Sequence, residues 1–160
     1  MINQIKKNIT SWTEEELFQF RIILDSEFKA RGVKFSVGEI GENTAVNYFN
    51  KTAGLPNLQK APTGVKNVDA LSRDGHRYSI KTVQNGKKTG TIYPDKDENL
   101  QLFEYLLIVQ LDENYEMKEM HRFSWKQFVK QRAWDSRMNA WYIPVSSTRL
   151  SKAEKIYPNE

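Results

Sequence analysis

The amino-acid sequence predicts an α/β fold in which a mixed central β-sheet is flanked by helices. Two helical patterns come first in the chain of 160 residues, three or four strand patterns follow, and a further helix and strand pattern lie towards the end. This order is typical of layered domains in which helices cover a sheet. With 39% hydrophobic and 28% charged residues, the chain can bury a core of its own. We therefore expect one domain over residues 1–160.

The first helix is predicted to be capped by Ser11 or Thr13, after a loose basic start over residues 1–10, and to run to about residue 30. Glutamates in the first turn favour this start because the helix dipole attracts anions. Apolar side chains then recur at helical spacing, which indicates a face that packs in a core or against a second copy. They are Leu17, Phe20, Leu24 and Phe28.

A second helix is predicted to reach about residue 50, and a loop with glycines and prolines follows it. Two strands are then predicted, over residues 65–71 and 76–83, with Asp74 and Gly75 in the turn between them. Residues 102–111 form a nearly continuous apolar run, which is typical of a strand buried on both faces. A strand over residues 115–123 follows. Beyond it we expect a short helix capped by Ser124, a strand over 141–145 and a closing helix over 147–156.

The composition restricts the classes of function. A net charge of +4 and a pI near 9.2 favour an anionic partner, most commonly nucleic acid, although charge that serves only solubility is the alternative. The absence of cysteine excludes disulfides and thiolate metal sites and fits a cytoplasmic location. No apolar run has the length of a membrane span, so no membrane partner is expected.

The candidate chemistry lies in the predicted hairpin. Successive residues of a strand alternate between its two sides, so Ser79 and Lys81 share a side, and the hairpin brings that side towards Asp69. A carboxylate beside an ammonium group suits metal-assisted phosphodiester hydrolysis. The carboxylate holds a hard cation, and the lysine orients or deprotonates the attacking water. The alternatives are a strand-end aspartate in an ordinary turn and a lysine that protects a sheet edge.

This arrangement resembles the PD-(D/E)XK nuclease superfamily, which includes restriction endonucleases and Holliday-junction resolvases. The family pattern is an acidic residue, a turn of variable length, and acid-x-Lys on the next strand. Asp69 matches the first acid and Lys81 matches the lysine, at a spacing similar to that of small type II restriction endonucleases. Ser79 stands at the position of the second acid, where a hydroxyl is a weak ligand for a divalent cation.

Residues 38–49 resemble the helix that precedes the catalytic hairpin in this family, with the pattern G-x-x-G-E-x-x-A-x-x-Y. Glu42 matches the glutamate of that pattern, and Glu39 lies on nearly the same helix face. The resemblance implies a restriction-endonuclease-like fold in which Asp69 and Glu42 bind Mg²⁺, with Mn²⁺ as a substitute. The backbone carbonyl of Ile80 would be a further ligand, and Lys81 would be catalytic. A glutamate that merely favours the helix N-terminus is the alternative for Glu42.

Contacts with DNA phosphate are predicted at Lys87 and Lys88, in a loop flanked by glycines, and more weakly at Gln84. A solvated turn is the alternative reading of that loop. The first hypothesis is a Mg²⁺-dependent DNA endonuclease, in its most specific form a small type II restriction enzyme. We expect a homodimer, because a twofold protein matches a palindromic site. The alternatives are a catalytically inactive nucleic-acid-binding domain of the same fold, suggested by Ser79, and a protein-interaction module.

Overall fold

The computed structural model describes residues 1–159, and the contacts within it divide the chain into two compact units. The first is Met1–Ser36, and the second begins at Val37. Among the helices of these described residues, none combines the length and apolar character that a membrane span requires.

The first unit consists of helices α1 (Ile2–Asn8) and α2 (Glu14–Ala30), joined by a 3₁₀ turn. The side chain of Thr13 accepts a hydrogen bond from the Glu16 N–H at 3.2 Å, and the Glu16 carboxylate accepts one from the Thr13 N–H at 2.7 Å. This reciprocal cap stabilises the start of α2, where the sequence predicted it. The prediction of a loose basic start was wrong, because α1 lies within it.

The second unit contains helices α3 (Val37–Lys51), α4 (Trp125–Gln131) and α5 (Ser147–Leu150). Its strands in chain order are β1 (Leu58–Lys60), β2 (Ala70–Ser72), β3 (Arg77–Gln84), β4 (Tyr105–Leu111), β5 (Met117–Ser124), β6 (Ala133–Asp135), β7 (Ala140–Tyr142) and β8 (Glu154–Tyr157). Six of them form one sheet in the order β1-β2-β3-β4-β5-β8, while β6 and β7 form a separate hairpin. Strands β3 and β4 are parallel and the other neighbours in the sheet are antiparallel. The predicted α/β class with a mixed sheet is therefore confirmed.

Helices cover both faces of the large sheet. On one face, Phe49 of α3 packs with Tyr78, their rings 5.9 Å apart. On the other, Phe128 of α4 packs against Phe103 at 5.2 Å. Between the two layers runs β4, in which the four residues 106–109 are fully buried. The predicted strand with two buried faces is confirmed there, although it begins at Tyr105 rather than at residue 102.

Several predicted boundaries were wrong where pairing between distant segments decides the structure. The first hairpin strand begins at Ala70, not at residue 65, and β1 was not predicted at all. The strand expected over 141–145 is β7, which pairs with β6 outside the large sheet. The closing helix ends at Leu150, and the chain then forms β8, which pairs with β5 at the edge of the sheet. Propensity within a short segment does not reveal such partners.

Candidate active site

The position of α3 on the sheet is set by a close approach at Gly41. A β-carbon at this residue would lie 1.8 Å from Oγ1 of Thr82 on β3, well inside any allowed contact. Only glycine lets the helix backbone come this near to the strand. Glu42 is the next residue of the helix, so the close approach at Gly41 also places the Glu42 carboxylate near the predicted hairpin.

Asp69 immediately precedes β2 and is held by the backbone of two other segments. Its Oδ2 accepts a hydrogen bond from the Ile80 N–H at 2.6 Å and lies 3.5 Å from Oγ of Ser79. The backbone N–H of Asp69 donates to the Tyr78 carbonyl at 2.8 Å, and its carbonyl accepts from the Ala61 N–H at 2.9 Å. The carboxylate is therefore fixed against β3, as the hairpin pattern predicted.

The pairing of β2 with β3 ends at Ala70 and Tyr78, so that from Ser79 onwards this edge of β3 is not paired with β2. The N–H and carbonyl of one strand residue point to the same edge. Because the Ile80 N–H points to Asp69, the Ile80 carbonyl also faces this edge. Asp69, Ser79 and Ile80 thus meet where the two strands separate.

A pocket of about 240 Å³ lies beside this opening. The loop of residues 61–65 forms one wall, and four charged side chains contribute to the lining: Glu39, Glu42, Lys60 and Asp69. The Lys60 Nζ is 2.9 Å from Glu39 Oε1 and 3.9 Å from Glu42 Oε2. One cationic side chain therefore contacts two of the three carboxylates in the pocket.

The pKa of Glu42 is raised above its ordinary value, chiefly because burial removes water from its carboxylate. The negative charges of Asp69 and Glu39 act in the same direction, whereas the positive charges of Lys60 and Lys81 lower the pKa. Repulsion between carboxylates in one pocket is relieved by a cation. The electrostatics of Glu42 therefore fit a site for positive charge.

Ser79 and Lys81 lie on one side of β3, opposite to the side on which Tyr78 and Ile80 pack against the layer of α3. Ser79 is fully buried, while Lys81 is half-buried. A β-carbon on Gly90 would lie 4.0 Å from Cδ of Lys81, so the lysine stem runs beside that loop. The positive charge of Lys81 nevertheless makes a small contribution that lowers the pKa of Glu42.

The donor set suits a hard cation, because every candidate ligand is an oxygen atom. Asp69 and Glu42 supply carboxylates, and Ile80 supplies a carbonyl on the same edge. Mg²⁺ is commonly held by one or two carboxylates, with water and substrate phosphate in the remaining positions. Within residues 1–159, no three His, Cys, Asp or Glu side chains form a ready-made metal cluster.

The predicted phosphate contacts lie away from this pocket along the chain and are tied to other segments. The Gln84 side chain donates to the Asp112 carbonyl at 2.7 Å. Lys88 forms an ion pair with Asp135 at 3.0 Å, and the carbonyl of Lys87 accepts a hydrogen bond from the Val145 N–H at 2.8 Å. The side chain of Lys87 is exposed. The loop is therefore fixed along residues 143–145, and it presents Lys87 to solvent.

Lys60 is the residue of the pocket that the sequence did not indicate. It lies on β1, a strand of three residues within a segment that reads as a loop with glycine and proline on either side. Three residues are too few to establish the alternation that marks a strand. Its role follows from the pairing of β1 with β2, which brings Lys60 opposite Ala70.

Comparison of the chain with protein-family models and with curated proteins gives no match.

Proposed function

We propose that this protein is a Mg²⁺-dependent DNA endonuclease with a restriction-endonuclease-like fold of the PD-(D/E)XK type. The observation that carries the proposal is the meeting of Asp69, Ser79 and Ile80 at an open strand edge, beside a pocket that Glu42 also lines. Two motifs from separate parts of the chain, one on α3 and one on the hairpin, thus contribute to one site.

In this proposal Asp69 and Glu42 bind the cation, and the Ile80 carbonyl is a further ligand. The cation would neutralise charge on the phosphate and position the attacking water. The backbone bond from Ile80 fixes the Asp69 carboxylate in advance, which limits the reorganisation needed during reaction. Desolvation of Glu42 makes its ionised form dependent on nearby positive charge.

Lys81 would orient the water for in-line attack on phosphorus. A new bond would form between the water oxygen and phosphorus while the bond from phosphorus to the leaving sugar oxygen breaks; the water would lose its proton to solvent, and the leaving oxygen would take a proton from solvent. The half-buried stem of Lys81 restricts the positions of its amine. The family pattern gives this role to the lysine two residues after its second acidic position. In this chain Ser79 stands at that acidic position and Lys81 at the position of the lysine.

DNA is the proposed substrate because a net charge of +4 favours an anionic partner, and a cation held by the carboxylates of the pocket would attract a phosphate group. The exposed Lys87 would contact the phosphate backbone outside the pocket. A small type II restriction enzyme is the specific form that we favour, with a homodimer matching a palindromic site. Such an enzyme would cut each strand with one copy of the pocket.

A second candidate is a nucleic-acid-binding domain of the same fold without catalysis. Ser79 favours it, because a buried hydroxyl 3.5 Å from Asp69 replaces a carboxylate that would bind the cation more strongly. Such a protein would bind DNA with a strong dependence on salt, because binding releases counterions from the phosphates, and it would not require a divalent cation.

The test is cleavage of plasmid and phage DNA in the presence of Mg²⁺ or Mn²⁺. We expect discrete fragments from the native protein and a loss of at least about a hundredfold in rate for Asp69→Asn and Lys81→Ala. Asparagine keeps an oxygen that can accept from the Ile80 N–H, so the first variant removes charge with little change in shape. Lys66→Ala, which removes an exposed lysine outside the pocket, serves as the matched control.

Cleavage that persists in both site variants would assign the activity to another part of the molecule or to a contaminant. Salt-sensitive DNA binding without cleavage by the native protein would favour the second candidate. Absence of DNA binding even at low salt would contradict both.

A further inference from the structure

The pocket beside β3 contains a lysine that contacts two glutamates of one helix. Nζ of Lys60 lies 2.9 Å from Oε1 of Glu39 and 3.9 Å from Oε2 of Glu42. The two glutamates are three residues apart on α3, so they lie on nearly the same side of the helix. Only the contact with Glu39 is short enough for a hydrogen bond. Lys60 is thus anchored on Glu39 and acts on Glu42 across a longer distance.

These three side chains are partly shielded from water. The exposed fraction is 35% for Lys60, 32% for Glu39 and 28% for Glu42. Charges in such positions interact more strongly than charges at a fully exposed surface, where an ion pair contributes little. The positive charge of Lys60 lowers the pKa of Glu42 more than that of Lys81 does. Lys60 is therefore the cationic side chain that affects Glu42 most.

Asp69, the second carboxylate of the proposed cation site, is held in a different way. Its Oδ2 accepts a hydrogen bond from the Ile80 N–H at 2.6 Å, whereas the ion pairs of Lys60 in residues 1–159 are those with Glu39 and Glu42. A cation bound between Asp69 and Glu42 would thus share Glu42 with Lys60. The cation and the ammonium group repel each other, and Glu39 remains as a partner for the lysine.

We propose that Lys60 competes with the divalent cation for Glu42 and thereby sets the affinity of the site. When the cation binds, Lys60 keeps its contact with Glu39 and gives up the longer contact with Glu42. Glu39 is then a positioning residue for the lysine and not a ligand of the cation. This inference rests on the proposed cation site at Asp69 and Glu42, but it does not depend on cleavage.

Calorimetric titration with Mn²⁺ tests the competition without a cleavage assay. The buffer is kept well above the pKa of Glu42, so that protons do not compete with the metal ion. We expect Lys60→Met to bind Mn²⁺ about tenfold more tightly than the native protein, because a positive charge beside the ion is removed. Lys60→Arg keeps the charge and should bind within about threefold of the native protein. Lys51→Met is the matched control, because it removes an exposed lysine from the last turn of α3.

A double-mutant cycle tests the part assigned to Glu39. Glu39→Gln should weaken Mn²⁺ binding by about tenfold, because it removes a negative charge and leaves Lys60 to pair with Glu42. In the Lys60→Met background the same change should weaken binding by about threefold or less, since only the negative charge is lost. Equal factors in the two backgrounds would contradict the anchoring of Lys60 on Glu39. Circular dichroism confirms that each variant keeps the native helix content.

Two further outcomes separate this inference from the proposed cation site. If the native protein binds Mn²⁺ and Lys60→Met binds it equally or more weakly, the competition is overturned and the site at Asp69 and Glu42 stands. If neither the native protein nor any variant binds Mn²⁺, the site itself is contradicted, and the competition with it.

Discussion

At the scale of single residues, the candidate site depends on how Asp69 is held. Its position and that of Lys81 were predictable, because the two residues flank a turn signal and the alternation of a strand fixes the side on which Lys81 lies. The hydrogen bond from the Ile80 N–H was not predictable, since Asp69 lies just outside β2. The presence of Lys60 in the pocket was not predictable either, because it results from the pairing of β1 with β2, which are separated by a loop in the sequence.

Replacing Ser79 with aspartate should make stability depend on a divalent cation. Ser79 is fully buried beside Asp69, so a second carboxylate would be desolvated and repelled in the absence of metal. We expect Ser79→Asp to lower the free energy of unfolding by about 1–3 kcal/mol in chelator. Mg²⁺ should restore part of this loss because it binds the folded state alone. Thermal unfolding with chelator and with Mg²⁺ measures both effects.

Ser79→Asn is the control for this experiment, because asparagine has nearly the same shape as aspartate without its charge. If Mg²⁺ raises the melting temperatures of the two variants equally, the position of Ser79 is not adjacent to a cation site.

Replacing Lys60 with methionine should raise the pKa of Glu42 further, because one of the two positive charges that lower it is removed. Methionine keeps most of the apolar stem of lysine, so packing of β1 should change little. Titration of the Glu42 carboxyl carbon by NMR measures the pKa directly. The same titration in Lys66→Met, a variant of an exposed lysine, should match that of the native protein. An unchanged Glu42 pKa in Lys60→Met would contradict the electrostatic account of the pocket.

The sign of the accompanying pH dependence follows from linkage. A raised pKa means that folded Glu42 binds a proton at pH values where the unfolded residue has lost it. The contribution of Glu42 to stability therefore falls as pH rises from the unfolded pKa through the folded pKa. This fall should extend to higher pH in Lys60→Met, and denaturant unfolding across the pH range measures it.

At the scale of elements, the contact between α3 and β3 positions the candidate site. Gly41→Ala should destabilise the protein by about 1–3 kcal/mol, because the new β-carbon would overlap the Thr82 side chain and push the helix away. Gly38→Ala, three residues earlier in the same helix, has no atom within 4 Å of the new β-carbon and should be neutral or stabilising. Urea unfolding of the two variants gives the comparison. Equal effects would exclude close packing at Gly41 as the reason for its glycine.

The starts of α2 and α4 were predicted accurately from the sequence, because their signals are local, whereas α1 was missed. Thr13 and Ser124 each form a reciprocal cap with the residue three positions later, as the sequence indicated. Strands with distant partners were predicted least well. The residues of β8 read as the end of a helix, and their pairing with β5 decides otherwise.

At the scale of the whole molecule, the α/β class was predictable because the order of periodic patterns restricts the possible layers. The pattern of Leu17, Phe20, Leu24 and Phe28 also indicated correctly that α2 has an apolar face. The pattern left open whether that face packs in a core or against a second copy. Periodicity identifies an apolar face of a helix, but it does not identify what packs against that face. No residue of α2 is buried in the described structure, and the choice between the two possibilities stays open.

Asp69 and Glu42 are proposed to form a divalent-cation site at the open edge of β3. Calorimetric titration with Mn²⁺ tests it most directly, using the native protein, Asp69→Asn, Glu42→Gln and the control Lys66→Ala. We expect saturable binding to the native protein and the control, with affinity reduced by more than about tenfold in both site variants. Equal binding to the native protein and Asp69→Asn, or no binding to the native protein, would contradict it.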